Sequence, residues 1–187
     1  MAGYFERGTA SGGEGGESGA VIALDKVEVS ILRSLAVQFL ELIGPGPEQP
    51  ASADVLESLL ADGPTKPPQD PALARLLPDG YADDAGAAAE FRRFTENDLR
   101  DRKREDALAV VRTLDTAGPV LELTPEESRR WLGTLNDLRL TIGTRLEVTE
   151  DDSEMYRLPD SDPRKPMMMA YLWLGGLQES LVETLMP

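Results

Sequence analysis

The stretch WLGTLNDLRLTIGTRL (residues 131–146) decides how the rest of the chain is read. Trp131, Leu135, Leu138 and Ile142 recur at i, i+4, i+7 and i+11, so they share one face of an α-helix. At about 100° per residue, Leu132 and Leu146 widen that face and Arg139 falls between them. A guanidinium inside a stripe that has to be buried needs a partner, because an unpaired buried charge is heavily penalised. The positions three and four residues away are Leu135, Asn136, Ile142 and Gly143, and none is acidic. The partner has to come from elsewhere in the chain, from a ligand or from another protein.

Working outward, Thr124-Pro125-Glu126-Glu127 is a helix start: a cap, a proline at the first position and a glutamate at the third. PVLEL (119–123) before it and AVIAL (20–24) near the N-terminus are short, apolar and β-prone, and can pair as a two-stranded ribbon. Asp25 with Glu28 forms a second capping box, opening a helix to about residue 43, where Gly44-Pro45 stops it. Ile31, Leu35, Phe39 and Leu42 share one face of that helix, with Leu32, Ala36, Leu40 and Ile43 on its flank. Short helices are expected from about residue 52 or 53 to 61, with Leu56, Leu59 and Leu60 inward, and over 70–77, where Asp70-Pro71 caps and opens the turn. From Asp84 the chain reads helical to Phe94, with a kink or break at Thr95–Asp98, then helical again to Thr116 and Gly118. Pro166 opens a last helix so apolar around its circumference that it is expected at the centre of the core. Residues 1–19 are rich in Gly, Ser and Glu and read as a disordered tail, leaving 20–187 as a single domain. The fold class is mainly α: a compact bundle of four longer and two short helices with the small ribbon.

Two further helices carry one polar residue each in their apolar faces, Glu28 in the first and Gln178 in the last. The coincidence suggests that Glu28 pairs with Arg139 and that Gln178 or Asn136 completes the network. Two alternatives stand beside it. Arg139 can snorkel along the edge of its stripe while Glu28 only caps its helix, or Arg139 can bind a ligand.

The 187 residues hold no cysteine and no histidine. That inventory excludes disulfides, thiolate nucleophiles, Cys or His zinc sites and His-based acid–base catalysis. Lys plus Arg number 19 against 34 Asp plus Glu, a net charge of −15. Such a field opposes nucleic acid and anionic membrane at long range and favours basic protein surfaces. There is no run of 18 apolar residues to span a bilayer, and the N-terminus has no secretory pattern, so a cytoplasmic protein is expected.

EFRRFTENDLRDRK (90–103), LELTPEESRRWLGTLNDLRLTIGTRL (121–146) and YLWLGGLQESLVETL (171–185) together resemble an actinobacterial family filed as a domain of unknown function, DUF2017. The Arg-rich, Lys-poor composition, 15 Arg to 4 Lys, agrees with a high-GC source. The resemblance implies a transcriptional regulator of the oxidative-stress response, near genes for a ClpS-type protease adaptor and for cysteine biosynthesis through a sulfur-carrier protein. Its implied mode is contact with a stress sigma factor or RNA polymerase. The alternative is an adaptor for Clp-dependent proteolysis. Sensing through a disulfide does not carry over to a chain without cysteine.

Arg92, Arg93, Arg100 and Arg104 are the candidates for partner contact, within a stretch that also holds Arg102, Lys103 and Arg112. Interleaved Glu96, Asp98, Asp101, Glu105 and Asp106 favour a solvated helix laced with weak ion pairs, and no basic recognition helix stands out for direct nucleic-acid binding. Met167–Met169 can be oxidised at a packed surface, though core filling is the commoner use. Trp131 and Trp173 are core positions unless exposed as interface anchors. The acidic loop 149–166 has oxygen ligands without EF-hand spacing. With no phosphate-binding Gly-rich loop and no nucleophile elbow, the expectation is a non-enzymatic regulatory protein without cofactor or metal. The network residues are Glu28, Asn136, Arg139 and Gln178.

Overall fold

Thr124 accepts a hydrogen bond from the Glu127 N–H while the Glu127 carboxylate accepts from the Thr124 N–H, so the predicted capping box forms. It opens a helix over Pro125–Arg145 that organises the computed structural model, which describes residues 3–8, 19–44, 63–116, 118–149 and 157–186. In chain order the elements are β1 (Glu6–Arg7), β2 (Ala20–Ala23), α1 (Lys26–Ile43), α2 (Pro71–Leu76), α3 (Ala85–Thr116), β3 (Val120–Leu123), α4 (Pro125–Arg145) and α5 (Lys165–Leu185). The fold is mainly α with one small antiparallel sheet, as expected. Helix α4 is the hub and packs against α1, α2, α3, α5 and β3.

Its stripe is buried as read: Trp131, Leu135, Leu138 and Ile142 all lie in the core. The Trp131 indole N–H donates to Thr113 Oγ1 at 2.9 Å, which lets the polar end of a fully buried ring sit in the α3–α4 seam. In α1 the Asp25–Glu28 box forms, and the backbone stops at Gly44, whose φ of 81° suits glycine. The face that packs is the expected flank joined by Phe39 of the main face: Leu32, Ala36, Phe39 and Ile43 are buried, while Ile31 is exposed. The centre of the sequence stripe is therefore rotated toward solvent, because α3 and α4 approach α1 from its other edge.

The ribbon is three-stranded, in the order β1-β2-β3. Ala20 pairs with Leu123 and Ile22 with Leu121, which sends Ala20, Ile22, Leu121 and Leu123 to the core. The added edge strand corrects the expectation of a disordered tail for residues 3–8. Glu6 pairs with Val21, and Phe5 is buried edge-on against Trp131 with ring centroids 5.8 Å apart. The Phe5 N–H donates to Ser180 Oγ at 3.1 Å, so the start of the chain is tied to α5. A single aromatic ring with a hydrogen-bonded backbone outweighs the polar composition around it. Residues 9–18 of the expected tail lie outside the described residues, as does the expected helix 53–61.

Two other readings are corrected. The break at Thr95–Asp98 does not occur: α3 is one helix of 32 residues. Thr95 Oγ1 donates back to the Phe91 carbonyl instead of capping a new helix, and the Arg92–Glu96–Arg100 ladder spans the supposed break. The last helix is not central. Met168, Leu174, Leu177 and Leu181 pack inward, but Met167, Met169, Leu172, Val182 and Met186 are exposed, because α5 packs mainly on α4 and covers one side of the bundle.

Candidate functional site: an arginine cleft between α4 and α5

Arg139 is half-buried where α4 meets α5. Its Nη1 donates to Gln178 Oε1 at 2.5 Å, and Gln178 Nε2 donates to Asn136 Oδ1 at 3.4 Å. The guanidinium carbon lies 5.4 Å from the centre of the Tyr171 ring, a cation–π contact. Its Nε is buried and makes no hydrogen bond among the described residues. The structure thus joins Asn136, Arg139 and Gln178 from the expected network and leaves Glu28 out. The Glu28 carboxylate folds back on the Asp25 N–H at 2.8 Å, as the third residue of a capping box must. No carboxylate among the described residues lies within ion-pair distance of Arg139.

Two glycines border the site. A Cβ at Gly143 would come within 3.1 Å of the Tyr171 ring, and one at Gly175 would lie 3.6 Å from Arg139 Nε. The first approach is tight, so the Tyr171 ring uses the room that Gly143 leaves, while the second is ordinary contact. Beside Arg139 opens a cleft of about 510 Å³, with Arg75 of α2, Asn136, Thr144, Glu147 and Tyr171 on its walls. A second, more open groove on the other side of Arg139 carries Gln178, Glu179 and Glu183. Helix α2 packs on α4 through buried Ala72 and Leu76, and Arg145 pairs with Asp70 at 2.6 Å at the edge of that contact. Asp70 also accepts from the Ala72 and Leu73 N–H groups as the α2 cap. The bond from Arg145, helped by those caps, holds the Asp70 carboxyl below its usual range.

The arginines of α3 do different work. Arg92, expected as a partner contact, is instead 4% exposed. It pairs with Glu96, bonds Asp79 at 2.7 Å and donates to the Leu77 carbonyl at 3.0 Å. Burial opposes its charge, but the bonds to Asp79 and Glu96 prevail and its pKa rises. Arg100 and Arg104, both half-buried, donate to the Ile43 and Gly44 carbonyls, satisfying the C-terminus of α1. Arg93 lies 4.5 Å from the ring of Phe94, which is itself exposed. Lys103 meets Asp137 at 2.7 Å in the α3–α4 seam, where burial pushes the Asp137 carboxyl up and the lysine only partly offsets it. In the loop before α5, Asp160 pairs with Lys165 and Asp162 with Arg164. Residues 150–156, with the rest of its acidic cluster, lie outside the described residues.

Arg75, Tyr171, Gly143 and Gly175 were missed in the sequence. The two glycines were the available signal, since glycine inside a helix usually marks close packing. Arg75 gave none, because its position depends on how α2 docks.

The chain is 38% identical over 98 residues to proteins of Mycobacterium tuberculosis and Mycobacterium bovis named oxidative stress regulator AosR. The match covers 52% of this chain and 44% of those relatives, so the chain matches less than half of their length. No solved structure matches the chain. A family profile described as a domain of unknown function, DUF2017, matches residues 7–185, from β1 through the last turn of α5. With both helices of the arginine cleft inside that span, the chain belongs to the DUF2017 family.

Proposed function

We propose that this chain is a cytoplasmic, non-enzymatic regulator of the oxidative-stress response that acts by contact with a sigma factor or RNA polymerase. The observation that carries the reading is the 38% identity to proteins named oxidative stress regulators. The charge of −15 agrees with it, since it opposes direct binding to DNA and favours a basic protein surface. No helix among the described residues is long and apolar enough to cross a membrane. With no cysteine, a response to peroxide has to enter through methionine or through the partner. Met167, Met169 and Met186 are exposed along α5 for the first route.

The test is affinity capture of the tagged chain from actinobacterial lysate, with and without peroxide, followed by titration with the purified protein recovered. Saturable binding of a sigma factor or of RNA polymerase supports the reading. Recovery of Clp components alone replaces it with a proteolytic adaptor.

A further inference from the structure

We propose that the cleft between α2, α4 and α5 is a recognition site for a carboxylate, with Arg139 as anchor and Arg75 as second cation. A guanidinium carries five N–H donors. Arg139 spends one of them, on a neutral amide, and makes no ion pair among the described residues, with Glu179 and Glu183 only sharing the open groove on its other side. Its head group is held by Tyr171 and by Gln178 at Nη1, so little order is left to impose when a ligand binds. Nε is sealed beside the α5 backbone at Gly175, which leaves the Nη1–Nη2 end for an incoming anion. Two parallel N–H···O bonds from that end suit the two oxygens of one carboxylate. Arg75 stands on the same wall with no ion pair among the described residues.

Two observations favour a carboxylate over a phosphate. The cleft volume of about 510 Å³ is far more than a bare phosphate fills. Thr144 already donates its hydroxyl to the Leu140 carbonyl and so adds no donor for a third oxygen. The same chemistry can reach the cleft as a free organic acid or as an acidic side chain of a polypeptide.

The experiment is NMR titration of the ¹⁵N-labelled full chain with two probes, glutarate and an acetylated, amidated pentapeptide with one central glutamate. Controls are neutral glutaramide and inorganic phosphate. The expected result is saturable shifts at Arg139 Nε–H, Gly143, Tyr171 and Gly175, absent with glutaramide. Arg139→Gln weakens them at least about tenfold and Arg75→Gln less. Arg33→Gln, whose arginine pairs with Asp115 at the surface, leaves them intact. Tighter binding of the peptide assigns the carboxylate to a polypeptide, and tighter binding of glutarate to a free acid. The proposal is overturned if glutaramide gives the same shifts, if they persist in folded Arg139→Gln, or if phosphate binds there more tightly than either carboxylate. The regulatory reading does not depend on the outcome, since partner capture tests it separately.

Discussion

Arg92 and Arg139 both project from the inward side of a helix, and their surroundings could hardly differ more. Arg92 is 4% exposed and meets two carboxylates and a backbone carbonyl. Arg139 is half-buried and meets one amide and one ring. In the first case every charge is answered inside the chain, so the guanidinium fixes where the Leu77–Asp79 turn sits on α3. In the second the charge is held in place but left unanswered. Both leave a buried Nε without an acceptor, so the difference is one of counter-charge. A buried cation paired with carboxylates contributes to folding; one without an ion pair at a cleft is capacity for binding.

The largest effect expected from this contrast is at Arg92. Arg92→Met leaves Glu96, 3% exposed, with only Arg100, and leaves the Leu77 carbonyl without its donor. Breaking one side of a buried pair costs about 3–5 kcal/mol. At roughly 2–4 °C per kcal/mol for a chain of this size, melting falls by about 10 °C in a circular-dichroism scan. Arg92→Met with Glu96→Leu recovers part of the loss, because no uncompensated carboxylate remains at that position. A single variant melting within a few degrees of the parent would erase the distinction between the two arginines.

What the sequence made legible divides along the same line. The α4 stripe, both capping boxes and the two internal strands follow from local rules, and local rules are visible in one chain. Arg139 was visible as an anomaly for the same reason: no acid stands within a turn of it. Its true neighbours were only half visible. Gln178 stood in an apolar face and Asn136 one turn before Arg139, but Glu28 was claimed by its own cap. The continuity of α3 was misread because Thr95 and Asp98 look like caps, and only the tertiary setting of Arg92 and Glu96 shows why the helix runs through. Phe5 was lost in a polar stretch, since one aromatic ring carries no periodicity. The docking of α2, and with it Arg75, rests on Ala72, Leu76 and Leu77 meeting a core built from distant segments, with Arg145 and Asp70 pairing across 75 positions of sequence.

A smaller effect sharpens the packing of the cleft. A Cβ at Gly175 meets Arg139 at ordinary contact distance, so Gly175→Ala gains helix propensity, up to about 1 kcal/mol in urea unfolding. Gly143→Ala gains less, because its Cβ at 3.1 Å forces the Tyr171 ring to shift. Equal gains at both glycines would mean that Tyr171 is not held where Arg139 needs it.

Acid probes the wall of the cleft. Asp70 is held below its usual value of 3.8 by Arg145. Its contribution is therefore complete above that pH and is lost as pH falls below it, through the folded value. Asp137 and Asp106, both raised chiefly by burial, run the other way: their protonation begins above 3.8 and favours the folded state as pH drops. The expected outcome below pH 3.8 is loosening of the α2 cap first, read as shifts of the Ala72 and Leu73 amides while the Trp131 indole signal holds. Asp70→Asn removes that step. Simultaneous loss of all three signals would mean that α2 is not separately pinned.

The smallest effect is expected at Arg139 itself, and it bears most directly on the contrast with Arg92. Arg139→Gln gives up one hydrogen bond to Gln178 and a stacking contact on Tyr171 worth about 0.5–1 kcal/mol. Against that loss, it frees a buried Nε that has no acceptor, and such a group costs stability in the parent. No carboxylate among the described residues is stranded by the change, which separates it from Arg92→Met. The two sides nearly cancel, so unfolding in urea shifts by less than about 1 kcal/mol. If Arg139→Gln destabilised the chain as much as Arg92→Met, Arg139 would be a structural residue with a hidden partner. A near-silent variant that nevertheless loses a binding partner would place the function of this helix pair on the one guanidinium the fold can do without.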